Sequence, residues 1–132
     1  MLKLEIVTPE KRVLDAEVDS VTVPTASGEA GILPNHAPLV SALKPGVLAY
    51  TVKGSTDCIA VSGGFVEVNN DKVAILVDTA ETAGEVDLDA ARRERQEAEA
   101  RIASTGTMTA DEAETAREEL DHADARASVG GR

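Results

Sequence analysis

From Met1 to about Glu81 the apolar residues fall into short alternating or continuous runs separated by turn-forming residues. A period of two places successive side chains on opposite faces of a strand, so this stretch predicts an antiparallel all-β domain. Leu2, Leu4 and Ile6 share one face, and Thr8-Pro9-Glu10-Lys11 reads as a turn. Ala16 and Val18 give way to Val21 and Val23 with a change of phase around Asp19-Ser20, which calls for a β-bulge or a break between two strands. Further runs are Val47 to Val52, Cys58 to Val61, Phe65 to Val68 and Val73 to Val77. Turns are expected at Lys53-Gly54-Ser55-Thr56 and Asn69-Asn70-Asp71. No stretch between the runs is long and amphipathic enough for a crossover helix, which disfavours a parallel α/β fold and favours a sandwich or barrel.

Near Glu81-Thr82-Ala83-Gly84-Glu85 the texture changes to Ala, Glu, Asp and Arg without proline, a composition that suits helices. The boundary predicts a β domain over residues 1–84 and a helical appendage over residues 85–132. Asp87 can cap a first helix, in which Leu88, Ala91, Ala98 and Ile102 follow three-four spacing and Arg95 fills the remaining seam position. Ser104-Thr105-Gly106-Thr107 is expected to end it. Thr109-Ala110-Asp111-Glu112 is a capping-box pattern that opens a second helix. Ala110, Ala113, Ala116, Leu120, Ala123 and Ala127 can line one face of that helix, small enough to let two antiparallel helices approach closely. Val129-Gly130-Gly131-Arg132 reads as a frayed tail.

Composition narrows the function classes. Aromatics make up 2% of the chain against 42% hydrophobic residues, so the core is aliphatic and an aromatic-lined nucleotide or sugar pocket is disfavoured. A formal net charge of -11 repels nucleic acid and anionic membranes. Cys58 is the only cysteine, which excludes an intrachain disulfide and a cysteine-based metal framework and suits a reducing compartment. The longest aliphatic run, Val73 to Val77, is too short to cross a bilayer, and no signal or transit segment is evident. Catalytic residues are scarce. There are two histidines, His36 and His122, and no Walker-type, His-Glu-x-x-His or Gly-x-Ser-x-Gly pattern. Ser62-Gly63-Gly64 reads as a hairpin turn rather than a phosphate cradle, and Cys58 as a small core residue. His36, between Pro34 and Pro38, can bond to nearby carbonyls. Gly28 and Gly31 supply positions able to take positive φ, so an exposed turn can present Glu29 before the chain re-enters the sheet at Ile32-Leu33.

Two ordered blocks carry a resemblance. Thr25 to Leu39, followed by Leu43-Lys44-Pro45-Gly46, resembles the most recognisable block of the epsilon subunit family of F-type ATP synthases. Ser62-Gly63-Gly64-Phe65-Val66-Glu67-Val68 resembles its second block, and Ala74 to Glu81 with the helical tail match in position. The resemblance implies an antiparallel β-sandwich of roughly ten strands followed by an antiparallel two-helix hairpin. It implies a non-catalytic rotor subunit seated on the gamma subunit and the c-ring, coupling ion flow to ATP synthesis. It also implies that the hairpin can fold down or extend toward the catalytic alpha and beta subunits. The loop from Glu29 to His36 would lie at the c-ring, with Gly31, Ile32, Leu33, Pro34 and Pro38 completing the interface, Glu29 meeting polar ring loops and His36 close to gamma. Direct membrane insertion is not implied, and the expected location is the cytoplasmic face of a bacterial plasma membrane.

The chain departs from the family in its helices. Many bacterial members begin the first helix with an Ile-Asp-x-x-Arg-Ala pattern associated with ATP, which here reads Val86-Asp87-Leu88-Asp89-Ala90-Ala91. Ala90 replaces the arginine, and His122 falls on one of the family's basic positions, so phosphate contacts are lost. Asp87, Arg92 and Arg126 remain as nucleotide-site candidates, and no cofactor is expected. From Thr109 to Ala127 the acids at 111, 112, 114, 118, 119, 121 and 124 face arginines at 117 and 126, seven against two, a net of -5. Like charge opposes docking on acidic catalytic segments, so any inhibition of hydrolysis by the hairpin is expected to be weak or steric. Two rival readings are a free-standing β-sandwich protein-binding module and a small hydrolase using Cys58 or His36.

Overall fold

The computed structural model describes residues 1–103 and 109–131. Ten strands come first: β1 (Leu2–Val7), β2 (Arg12–Val18), β3 (Ser20–Thr25), β4 (Gly28–Ile32), β5 (Leu39–Leu43), β6 (Gly46–Val52), β7 (Ser55–Val61), β8 (Gly64–Asn69), β9 (Lys72–Val77) and β10 (Ala80–Thr82). Two helices follow, α1 (Leu88–Ala103) and α2 (Ala110–Gly130). The strands run in the order β10-β7-β6-β3-β5-β8-β9-β1-β2, with β4 also paired to β3. All pairs are antiparallel except β1 with β9. The sheet folds over itself so that its inward positions meet in one aliphatic core. Leu2, Leu4, Ile6, Val21, Val23, Ile32, Leu48, Ile59, Val66 and Ile75 are sealed from solvent there. This is the sandwich plus helical hairpin that the alternation, the change of texture and the resemblance predict.

The phase change at Asp19 is a break between strands. The Asp19 N–H donates to the Thr51 carbonyl at 2.7 Å, and its carboxylate accepts the Lys53 N–H at 2.8 Å. The chain thus passes from β2 to β3 with its backbone donor satisfied, and the inward positions of β3 are shifted by one relative to those of β2. The tight turn after β6 is only Lys53-Gly54, and the one after β8 only Asn70-Asp71, all four at positive φ. That handedness matches the twist of the flanking strands.

Three local expectations are corrected. Ser62-Gly63 does not make a hairpin, because β7 pairs with β6 and β10 whereas β8 pairs with β5 and β9. The segment carries the chain between distant strands of the sheet, and Gly64 is required by crowding. A Cβ there would lie 2.0 Å from the Leu76 carbonyl oxygen. Second, Gly28 has φ of 121° but Gly31 does not take positive φ; it is a β4 residue opposite Thr22. Glu29 is therefore an exposed strand residue rather than the tip of a turn. The positive φ in the loop that follows belongs to Asn35. Third, Val129 is wholly buried and Gly130 is helical, so the tail up to Gly130 is docked rather than frayed; Arg132 lies outside the described residues.

The helices pair as an antiparallel hairpin, with Arg95 facing Asp124 at 3.9 Å and Arg101 paired with Glu119. Asp87 caps α1, its Oδ1 accepting the Ala90 N–H at 3.0 Å, and the Thr109 hydroxyl accepts the Glu112 N–H at 3.2 Å at the start of α2. The expected stop at Ser104 to Thr107 lies outside the described residues. Ala116, Ala123 and Ala127 are buried as expected, whereas Ala110 is exposed at the start of α2. The helix also buries a second face that the alanine stripe does not reveal. Ala125 and Val129 pack on Ala60, with Val47, Cys58 and Val86 around them, which fastens α2 to β6 and β7.

Candidate functional site

The segment that resembles the family's most recognisable block is built as a strand and a stiff loop. Thr25 and Gly28 close the Ala26-Ser27 turn, the Thr25 hydroxyl donating to the Gly28 carbonyl. β4 then runs beside β3, burying Ile32 and leaving Glu29 and Gly31 exposed. Leu33 to Pro38 form the loop. The His36 N–H donates to the Leu33 carbonyl at 3.2 Å, and the Asn35 N–H to the Asp71 carboxylate at 2.7 Å. The second bond ties the loop to the β8–β9 turn. The His36 Nδ1 lies 2.7 Å from the Ala37 carbonyl, which can only accept, so Nδ1 carries a proton. Leu33 is 62% exposed, and Pro34 and Pro38 are exposed beside it. Rigid backbone and bare apolar side chains thus share one end of the sandwich. Glu29 lies apart, over a groove of about 320 Å³ shared with Lys44, Pro45, Asp121 and Asp124.

A second exposed surface has a clear register. Ala42, Phe65 and Leu76 are directly opposite one another across β5, β8 and β9, and Val40, Glu67 and Ala74 form the adjacent row. These rows face outward. Val40 is 74% exposed, Phe65 59% and Leu76 50%. Phe65 is the only phenylalanine of the chain, and it stands in solvent while the core contains none. A groove of about 420 Å³ bounded by Val7, Pro9, Gly64, Phe65 and Leu76 continues this face. Contiguous apolar surface of this kind marks a place where another protein docks.

The third cluster joins the hairpin to the sandwich. Arg126 on α2 donates from Nε to Glu81 Oε1 at 2.7 Å and from Nη1 to Glu94 Oε2 at 2.7 Å. Glu81 belongs to β10 and Glu94 to α1, so one guanidinium holds three elements. Burial works against that cation, but the bonds to Glu81 and then Glu94 outweigh it and raise the Arg126 pKa. Close by, the His122 Nε2 is 3.4 Å from the Thr79 hydroxyl. Burial first, then the Arg126 charge, push the His122 pKa down against the weaker pull of Glu81 and Glu94.

Asp87 is engaged as a helix cap, Arg92 is exposed on α1, and Arg126 is committed to carboxylates. Glu81 and Glu94 escape sequence reasoning because their bonds to Arg126 span 45 and 32 residues. The hydrolase reading finds no shared site. Cys58 lies on β7 against the hairpin, and His36 lies in the β4–β5 loop, with no bond between them. Among the described residues no group of His, Cys, Asp and Glu is arranged to hold a metal ion, and no helix is long and apolar enough to cross a membrane.

A β-sandwich with a bare apolar face, a stiff apolar end loop and a clipped-on helical hairpin is a docking module built for an assembly. The comparisons give the assembly. The family described as "ATP synthase, Delta/Epsilon chain, beta-sandwich domain" matches residues 1–83. The ATP synthase epsilon chain of Desulforamulus reducens is 50% identical over 105 residues, 80% of each chain. That of Anaeromyxobacter sp. (strain K) is 45% identical over 132 residues, 99% of this chain and 98% of the relative. A chain in the mitochondrial ATP synthase of Euglena gracilis superposes with a TM-score of 0.77 at 26% identity, covering 93% of this chain and 77% of its own length. This chain belongs to the ATP synthase delta/epsilon family. Its full-length likeness to bacterial epsilon chains makes it a central-stalk subunit of an F-type ATP synthase.

Proposed function

We propose that the chain is a non-catalytic rotor subunit whose sandwich, residues 1–84, seats on the gamma subunit through the Val40, Phe65 and Leu76 face. The end loop, Leu33 to Pro38, meets the c-ring, with Glu29 reaching the polar ring loops from the adjoining strand β4 and His36 lying close to gamma. The observation that carries the reading is the apolar face itself. Three large aliphatic or aromatic side chains lie bare on regular sheet while the molecule has an aliphatic core to put them in. At about 25 cal/mol per Å² of apolar surface removed from water, covering them supplies several kcal/mol to an interface. In this reading the chain lies on the cytoplasmic face of a bacterial plasma membrane.

A tagged chain should co-purify with gamma and the c-ring, and Phe65→Glu should reduce recovery of both without lowering the chain's own melting temperature. Recovery of the tagged chain alone would favour the free-standing binding module. Unchanged recovery and function after Cys58→Ala is expected, and loss of a hydrolytic activity after Cys58→Ala or His36→Ala would revive the enzyme reading.

The hairpin, residues 85–132, is the regulatory part. It rests on the sandwich through small side chains, so a second arrangement that reaches the alpha and beta subunits lies within a few kcal/mol. The acidity of α2 makes any block of hydrolysis steric. Deleting residues 85–132 should raise hydrolysis by the complex modestly, and a large rise abolished by high salt would show that charge contacts carry the inhibition.

A further inference from the structure

We propose that Glu81, Arg126 and Glu94 form a charge clasp that holds the hairpin on the sandwich and whose carboxylates keep a triphosphate away from Arg126. The proposal rests on the reading that the hairpin can leave the sandwich, and adds what restrains it. The Arg126 side chain is only 13% exposed. Glu81 is met twice, from Nε at 2.7 Å and from Nη2 at 3.4 Å, and Glu94 once from Nη1 at 2.7 Å. A planar guanidinium with a fixed fork of donors satisfies both carboxylates at once, which an ammonium does not do. Other ion pairs of the chain, such as Lys11 with Glu85 and Arg12 with Asp15, join more exposed cations and are screened accordingly.

The same cluster is ill-suited to a triphosphate. Two carboxylates flank one cation, so a phosphate approaching Arg126 meets net negative charge and has to displace bonds already made. Ala90 offers no cation, and His122 is pushed toward its neutral form. The apolar contact beneath the clasp consists of Ala60, Ala125 and Val129 with Val47, Cys58 and Val86 at its edge. These side chains are mostly small, and removing one partner of a partly buried ion triad leaves the opposite charge uncompensated, so the triad adds to what holds the hairpin down.

Cys58 is a built-in reporter, since it is the only cysteine and α2 packs against it. The experiment measures its rate of reaction with a maleimide in the isolated full chain. Arg126→Met, which keeps an unbranched apolar stem, and Glu81→Gln should each speed labelling about tenfold. The double variant should be no faster than either single one, as residues of one network are not additive. Salt at about 1 M, where the Debye length is about 3 Å, should speed the unmodified chain and leave Arg126→Met unchanged. Millimolar ATP should not slow labelling of the unmodified chain, and slowing would overturn the claim that the clasp keeps a triphosphate away from Arg126. Ala125→Glu, which forces a charge into the packed contact, separates the two levels of the claim. If it speeds labelling while Arg126→Met does not, the hairpin is held by packing and the clasp is wrong. If neither does, the releasable hairpin is wrong as well.

Discussion

Single residues set the limits of the account. Gly64 is fixed by a close approach, because its missing Cβ is where the Leu76 carbonyl lies. Gly64→Ala should cost about 1–3 kcal/mol, the range for overpacking a well-filled site, read as a lower melting temperature. His122 contributes a pH dependence whose sign follows from its surroundings. Its pKa in the docked hairpin is below the ordinary value of 6.5, through burial and the Arg126 charge, so a proton binds the undocked form more tightly. Docking is then insensitive to this group above 6.5 and weakens as pH falls through that value. Cys58 labelling should accelerate in that acid range, and His122→Gln should flatten the response; acceleration on going alkaline would contradict the assignment.

At the scale of elements, α2 is informative because it serves two neighbours. Its alanine face toward α1 follows from three-four spacing, and Ala116, Ala123 and Ala127 are buried accordingly. Its second face, Ala125 and Val129 against Ala60, is not legible, since two apolar residues four apart near a chain end look like any frayed turn. Removing two buried methyls at about 0.8 kcal/mol each, Val129→Ala should destabilise docking by about 1–2 kcal/mol. Faster amide exchange confined to α2 and its contact on β6 and β7 would show it, whereas loosening of the whole sandwich would not fit. The β-strands divide in the same way. Alternation revealed β1, β8 and β9 because each buries one face, and it located the break at Asp19. It missed that Ser62-Gly63 joins strands that are not neighbours, because pairing partners are chosen by tertiary packing rather than by local turn chemistry.

For the whole molecule, the division of labour follows from which surfaces are finished. The core is closed, the hairpin is clipped to one side, and the face of β5, β8 and β9 is bare. Resemblance drew attention to the Gly28 to Leu39 segment, and the structure tied its loop to Asp71. The apolar face could not be read from the chain, because Val40, Phe65 and Leu76 sit in strands where either parity of side chain could have been the buried one. Docking of that face on gamma is the central claim, and ATP synthesis driven by an imposed ion gradient tests it most directly. In membrane vesicles lacking the native chain, added wild-type protein should restore synthesis. Phe65→Glu, with its fold intact, should restore it at least tenfold less well, as expected for loss of an interface anchor worth about 1.4 kcal/mol or more. Full restoration by Phe65→Glu would contradict the account.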